Sequence, residues 1–241
     1  DRMSDEERRS SFGDRRGSRS EVKRGSRPLR NQEVSRQSNK SSIKDSSPSV
    51  DEVMFCNSGS EATMFAFRAA RAVTGKRVIA LFDGSYHGIH DYALIRADSG
   101  SDRSTPSSIP LGAGIPNEVS KDLMLMLPYR DENAFDIIRQ YKNDLAMVVI
   151  EPVQSSNPRL DNEQFLNSLR EVCSECDVLL MFDEVITGFR IEYGGCQEYY
   201  SIKPDVITYG KAVGGGMPIG VVAGSKKVMN SSTYIYICID T

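Results

Sequence analysis

The sequence predicts an α/β domain built on a mainly parallel, seven-stranded sheet with helices on both faces. Two features of the chain beyond Asp51 carry that expectation. Strand-length apolar runs recur seven times, and most are apolar throughout rather than at alternate positions, as befits strands covered on both sides. Longer amphipathic segments separate them, and strands alternating with helices build parallel sheets. No internal repeat competes with this reading.

The seven runs span residues 53–56, 78–82, 123–127, 145–150, 178–182, 206–209 and 220–223. Helical patterns occupy 61–73, 133–141 and 163–175. In the last of these, Phe165, Leu166, Leu169, Val172 and Cys173 return at three- and four-residue spacing, which lays one apolar stripe along a helix.

Three stretches follow from composition. Residues 1–50 hold 13 Lys/Arg against 8 Asp/Glu, a net of +5, with 13 serines and only isolated apolar residues. So little apolar surface does not offset the entropy of ordering, and the stretch reads as a disordered Arg/Ser-rich tail. Its charge suits RNA or another anionic partner, but a solvated tail explains it as well, and a nucleic-acid role is not expected. Asp5, Glu6, Glu7 and Asp14 argue against a transit peptide. Residues 51–230 form the folded domain. Residues 231–241 (SSTYIYICIDT) are read as a divergent end.

No run approaches the roughly 18 apolar residues of a membrane helix, and no secretory signal is visible, so a cytoplasmic protein is expected. Five scattered cysteines do not make a disulfide scaffold. Cys173 and Cys176 form a CxxC, but no second CxxC exists and both histidines lie far off. Two half-buried helix residues account for the pair better than zinc or redox chemistry does, and no metal is expected.

In open α/β sheets ligands gather beyond the carboxyl ends of the strands. After the first run comes Asn57-Ser58-Gly59-Ser60-Glu61-Ala62, with capping-box spacing from Ser58 to Glu61. A helix start with free N–H groups suits a phosphate, although many helices begin this way with nothing bound. The stretch lacks the GxxxxGK[ST] of an ATP-binding loop. After the second run, Tyr86 stands in Gly84-Ser85-Tyr86-His87-Gly88. It either offers its face to a planar ring or packs a turn. Glu151 follows the fourth run and Asp183 the fifth. A carboxylate at the end of a buried strand needs a cationic or hydrogen-bonding partner. One alone reads as a salt bridge; two at adjacent strand ends point to a site. After the sixth run comes Tyr209-Gly210-Lys211-Ala212-Val213-Gly214-Gly215-Gly216. A partly desolvated lysine there is a nucleophile toward aldehydes; a surface lysine on a flexible loop is the other reading.

Together NSGSEA, GSYHG, EPV, DEVITGFR and YGKAVGGGMPIG resemble, in order and spacing, the class III pyridoxal-phosphate-dependent aminotransferases. Within that class the chain resembles glutamate-1-semialdehyde aminomutase relatives. EPVQSSNPRL, FDEVITGFR and GGGMPIGVVAG are most similar to aminotransferase domains of polyketide and nonribosomal peptide synthases. The resemblance runs from about residue 51 to 230.

It implies the large domain of a fold-type-I enzyme, with the small domain missing, and pyridoxal 5'-phosphate as cofactor. Lys211 would hold the cofactor as a Schiff base, and Asp183 would keep its pyridine nitrogen protonated. Tyr86 would stack on one ring face and Val185 would press on the other. Ser58, Gly59 and Ser60 would bind the phosphate, and Glu151 would orient substrate or cofactor. His87 would only support Tyr86. The implied reaction moves an amino group from a donor to a keto or aldehyde acceptor, free or carrier-bound. An aminomutase on the same scaffold and a truncated, non-catalytic remnant are the alternatives. The family works as homodimers, and the segments it has before the first strand and after the last are not recognisable here, so a fragment is expected.

Overall fold

The computed structural model describes residues 40–100 and 107–230. The expectations for residues 1–39 and 231–241 lie outside the described residues. The remainder carries one seven-stranded sheet and one two-stranded sheet.

In chain order the elements are α1 (residues 40–46), β1 (Glu52–Cys56), α2 (Gly59–Thr74), β2 (Val78–Phe82), β3 (Ile95–Ala97), β4 (Ser108–Pro110), α3 (Asn117–Leu123) and β5 (Met124–Leu127). There follow α4 (Asn133–Tyr141), β6 (Leu145–Ile150), α5 (Glu163–Glu175), β7 (Leu179–Glu184), α6 (Cys196–Tyr199), β8 (Val206–Tyr209), a 3-10 turn (Lys211–Gly214), β9 (Gly220–Gly224) and α7 (Lys226–Met229). All seven expected strands form the large sheet, in the order β1-β9-β8-β7-β6-β2-β5. Only β9 runs antiparallel to its neighbours, β1 and β8; the pairings among β8, β7, β6, β2 and β5 are parallel. The β3–β4 hairpin was not expected.

Continuous apolarity has the predicted cause. Along β6 and β7, Val148, Ile150, Leu180 and Phe182 pack with α4 and α5 residues such as Ile138 and Leu169. The intervening Met147, Val149, Leu179 and Met181 pack on the other face against Ala62, Ala66, Phe67 and Ala70 of α2. Alternate side chains point to opposite faces, so a strand buried on both must be apolar at every position. Cys173 belongs to the first of these cores, and burial pushes its thiol up to about 12, which keeps it inert. Cys176 is also buried.

One boundary needs correction. Residues 40–50, assigned from composition to the tail, belong to the fold. Ile43 and Val50 are buried and join Val53, Ile207, Tyr209, Val221 and Ala223 in a third cluster. That cluster covers the face of β1, β9 and β8 opposite α2. Two apolar side chains suffice because serines do the rest: the Ser47 hydroxyl is 2.8 Å from the Tyr209 hydroxyl, and Ser49 donates to Gln197 Oε1 at 2.8 Å.

Candidate active site

A cavity of about 350 Å³ opens at the carboxyl edge of the large sheet. Gly59, Ser60, Tyr86, Glu151, Asp183, Val185 and Lys211 all line it, although they come from five separate segments of the chain. Ser58 is the exception among the expected residues. It is the N-cap of α2, and its hydroxyl accepts the Glu61 amide at 3.2 Å. Glu61 returns the bond to the Asn57 amide at 2.7 Å. The capping-box spacing thus closes a reciprocal pair shifted by one residue, onto the Asn57 rather than the Ser58 amide, and engages the Ser58 hydroxyl, while Gly59 and Ser60, whose amides helix geometry leaves without intrahelical acceptors, line the cavity.

Asp183 is penultimate in β7 and pairs across the sheet with Thr208. Its carboxylate is buried and carries three hydrogen bonds. Oδ2 lies 2.7 Å from His87 Nδ1; Oδ1 accepts from the Thr208 hydroxyl at 2.9 Å and from the Val185 amide at 3.2 Å. Each of the three contacts thus meets a carboxylate oxygen as acceptor. With the carboxylate ionised, Nδ1 must donate, so the His87 ring carries a proton there.

The Tyr86 turn is pinned from two sides. Glu151 accepts from the Tyr86 amide at 3.1 Å and from the Ser155 amide at 3.3 Å. Burial pushes the Glu151 carboxyl above the ordinary carboxylate range, and those two amides, with nearby His87, oppose the shift. Gln154 and Ser156, in the loop after β6, donate to the carbonyls of Asp83 and Gly84, each at 2.8 Å. Glu151 is thus a clamp between two loops as well as part of the cavity wall. Tyr86 itself keeps 54% of its surface exposed.

Thr63, one turn into α2, joins the helix to the next loop. Its hydroxyl donates to the His87 carbonyl at 2.6 Å and lies 3.1 Å from His90 Nε2. His90 is therefore the neutral Nε2–H tautomer, in keeping with a ring pushed down to about 4 by burial and by the neighbouring His87.

Lys211 opens the 3-10 turn with φ 42°, a left-handed conformation that a side chain rarely adopts. Such strain collects at functional sites. Its side chain is exposed rather than desolvated by the protein around it. Val185 stands opposite, wedged between two glycines: a Cβ on Gly59 or Gly210 would come within 3.0 or 3.2 Å of its Cγ1.

Asn57, Thr63, His87, Ile186, Met217, Pro218 and Ile219 also line the cavity without having been assigned to it. For the last three the cause is topological. The residue just past a strand faces the site only when the strand runs toward it. Because β9 is antiparallel, the residues before it do so instead. The signal available was the proline and glycine punctuation of GGGMPIG.

A mainly parallel sheet with one antiparallel strand, carrying an amine, a carboxylate and free helix-start amides at one edge, defines a class of protein. The sequence profile of the class-III aminotransferase family matches residues 26–234, and the chain belongs to that family. The match begins well before residue 51, in agreement with the ordered segment at 40–50.

Among its relatives, the chain is 45% identical to a glutamate-1-semialdehyde 2,1-aminomutase of Methanocaldococcus jannaschii over 184 residues, 76% of this chain and 42% of that protein. An omega-transaminase from Sphaerobacter thermophilus has a similar structure, with TM-score 0.74 and 36% identity over 84% of this chain and 50% of that one. A structure described as a transaminase with PLP bound matches with TM-score 0.71 and 31% identity, covering 80% of this chain and 45% of that one. The sheet is the fold-type-I large-domain sheet, and the chain spans about half the length of these relatives. Among the described residues, no helix is long and apolar enough to cross a membrane.

Proposed function

We propose that this chain is the cofactor-binding part of a pyridoxal-phosphate-dependent aminotransferase, with Lys211 as the residue that carries the cofactor. The observation that supports this most is the convergence of Lys211, Asp183, Tyr86, Val185 and the Gly59–Ser60 amides on one cavity.

The residues present fit the group. Asp183 makes three hydrogen bonds with its two oxygens, which leaves it acceptor capacity for a ring N–H. The Gly59 and Ser60 amides, at the positive end of α2, suit a phosphate. Tyr86 has an uncovered aromatic face, and Val185 is held in place for the opposite one. When bound, the cofactor supplies an electron sink in its pyridine ring.

The protein's own part is positional and acid–base. Lys211 Nζ would hold the cofactor covalently and, when not so engaged, would be placed to act as a base toward the substrate α-carbon. Asp183 would hold a proton on the ring nitrogen. The acceptor is a keto or aldehyde compound, free or borne on a carrier domain of a synthase. Exposed Tyr86 and Met217 at the cavity mouth suit cover by a second subunit, in line with a homodimer.

Borohydride added in the presence of pyridoxal phosphate should fix the label on the peptide containing Lys211, and Lys211→Ala should abolish it. Folded protein that gains no cofactor absorbance would return the chain to the non-catalytic reading. A second reading is favoured by the names of its relatives, glutamate-1-semialdehyde 2,1-aminomutases at 43–46% identity. Glutamate 1-semialdehyde supplied alone separates the two: isomerisation without an amino donor identifies the mutase.

A further inference from the structure

We propose that His87 is a positioning residue for the cofactor, acting through Asp183. The inference rests on the pyridoxal-phosphate reading and deepens it. Sequence reasoning gave His87 no role beyond supporting Tyr86, yet its ring turns inward, 1% exposed, and meets Asp183 Oδ2 at 2.7 Å.

Its backbone is fixed on every side. The preceding amide, of Tyr86, is held by Glu151, and the His87 carbonyl is held by Thr63 of α2. Beyond it, Gly88 passes Ser60 at φ 111°, where a Cβ would stand 2.7 Å from the Ser60 hydroxyl; that hydroxyl also accepts the Ile89 amide at 3.2 Å. The loop between β2 and β3 is therefore tied to the start of α2, the proposed phosphate site, and to β7, the proposed pyridine site.

The ring nitrogen that does not face Asp183 tells against a purely structural role. His87 Nε2 is buried and has no hydrogen-bond partner among the described residues. A buried polar atom left unpaired is costly, and an apolar ring of the same shape would avoid the cost. What the imidazole provides in return is the Nδ1–H donor to Oδ2. Thr208 and Val185 secure only Oδ1. Without His87 the carboxylate is free to swing about Oδ1, and its remaining lone pair loses its aim toward the ring nitrogen.

The test is a double-mutant cycle read as cofactor affinity, from the absorbance change as pyridoxal phosphate is titrated into the full chain. His87→Phe keeps the ring volume and removes the donor, and it should weaken binding about tenfold, as loss of a hydrogen bond to a charged group does. His87→Asn, which keeps an N–H donor, should recover most of that loss. In an Asp183→Asn background, His87→Phe should change affinity by less than about twofold. Equal loss in both backgrounds, or no loss in the first, overturns the proposal. Should His87→Phe not fold, His87→Leu takes its place in the cycle. Wild-type protein that takes up no cofactor at all defeats the cofactor reading itself, before the cycle begins.

Discussion

Asp183 and Glu184 are neighbours on β7, but their side chains leave the strand on opposite faces and enter opposite environments. Asp183 points toward α2 with its cross-strand partner Thr208 and opens onto the cavity. Glu184 points the other way beside Tyr209 and is sealed in. Its oxygens accept the Cys196 amide at 2.7 Å, the Thr187 hydroxyl at 3.1 Å and the Gln197 amide at 3.4 Å. Gly195, at φ 75°, lies so close that any Cβ there would strike the carboxylate. The Tyr209 hydroxyl accepts from Gln197 Nε2 at 3.2 Å and lies 2.8 Å from the Ser47 hydroxyl. One face of the strand end keeps bonding capacity open, and with it an unpaired histidine nitrogen. The other is a closed brace in which each hydrogen-bonding side chain finds a partner. The comparison teaches that chemistry at this edge is separated from rigidity by one residue's alternation.

The largest effect should come from breaking the brace. Glu184→Leu would leave two backbone amides and the Thr187 hydroxyl facing an apolar side chain in a dry site. Each unsatisfied donor costs about 1–3 kcal/mol, so a loss of roughly 3 kcal/mol or more is expected in the unfolding free energy from urea titration. A near-neutral outcome would mean that the brace is not what stiffens this edge.

Acidity sharpens the contrast. Burial pushes the Glu184 carboxyl up from 4.5 to about 7, against the pull of its three donors. A raised carboxyl means that the folded protein binds the proton more tightly than the unfolded chain. Glu184 therefore costs stability as pH rises from 4.5 to about 7, by on the order of 3 kcal/mol across the window, and its effect levels off above that. His90 works in the opposite direction. Its ring is pushed down from 6.5 to about 4, so protonation favours the unfolded chain as pH falls through that range. The two slopes partly cancel in the wild type. Glu184→Gln removes one of them, so the stability difference between wild type and variant should shrink in the wild type's disfavour from pH 4.5 to about 7. Unfolding midpoints measured across that window check it; parallel curves would show that Glu184 does not titrate there.

How far the sequence disclosed this arrangement depended on whether the signal was local. Strands of the large sheet were legible to within one or two residues because burial on both faces forces every position to be apolar. The three-residue strands β3 and β4 are too short to show a period. Asp183, Lys211, Tyr86 and Val185 were legible because motifs and strand ends mark them. The partner of Asp183 was not: His87 lies 96 positions away, and nothing in GSYHG says which way its ring turns. Residues 40–50 were hidden for the same reason. A serine-rich stretch looks like a tail until Ser47 meets a tyrosine hydroxyl 162 positions later.

The smallest predicted effect tests whether the two faces are independent. Tyr209 is 1% exposed and precedes Lys211 by only two residues. Tyr209→Phe deletes one hydroxyl, which takes the acceptor from Gln197 Nε2 and leaves the Ser47 hydroxyl only its 3.4 Å contact with Ser46. With Tyr209, Gln197 and Ser47 all buried, the variant should lose about 1 kcal/mol of stability. Ser47→Ala, added to it, should cost far less than in the wild type, because the bond it removes is already gone. Cofactor uptake should stay within about twofold of the wild type, because the Tyr209 hydroxyl bonds to Ser47 and Gln197 inside the brace whereas Lys211 lines the cavity. A large fall in uptake with intact folding would show that the brace sets the position of Lys211, and the separation of rigidity from chemistry along these strands would have to be given up.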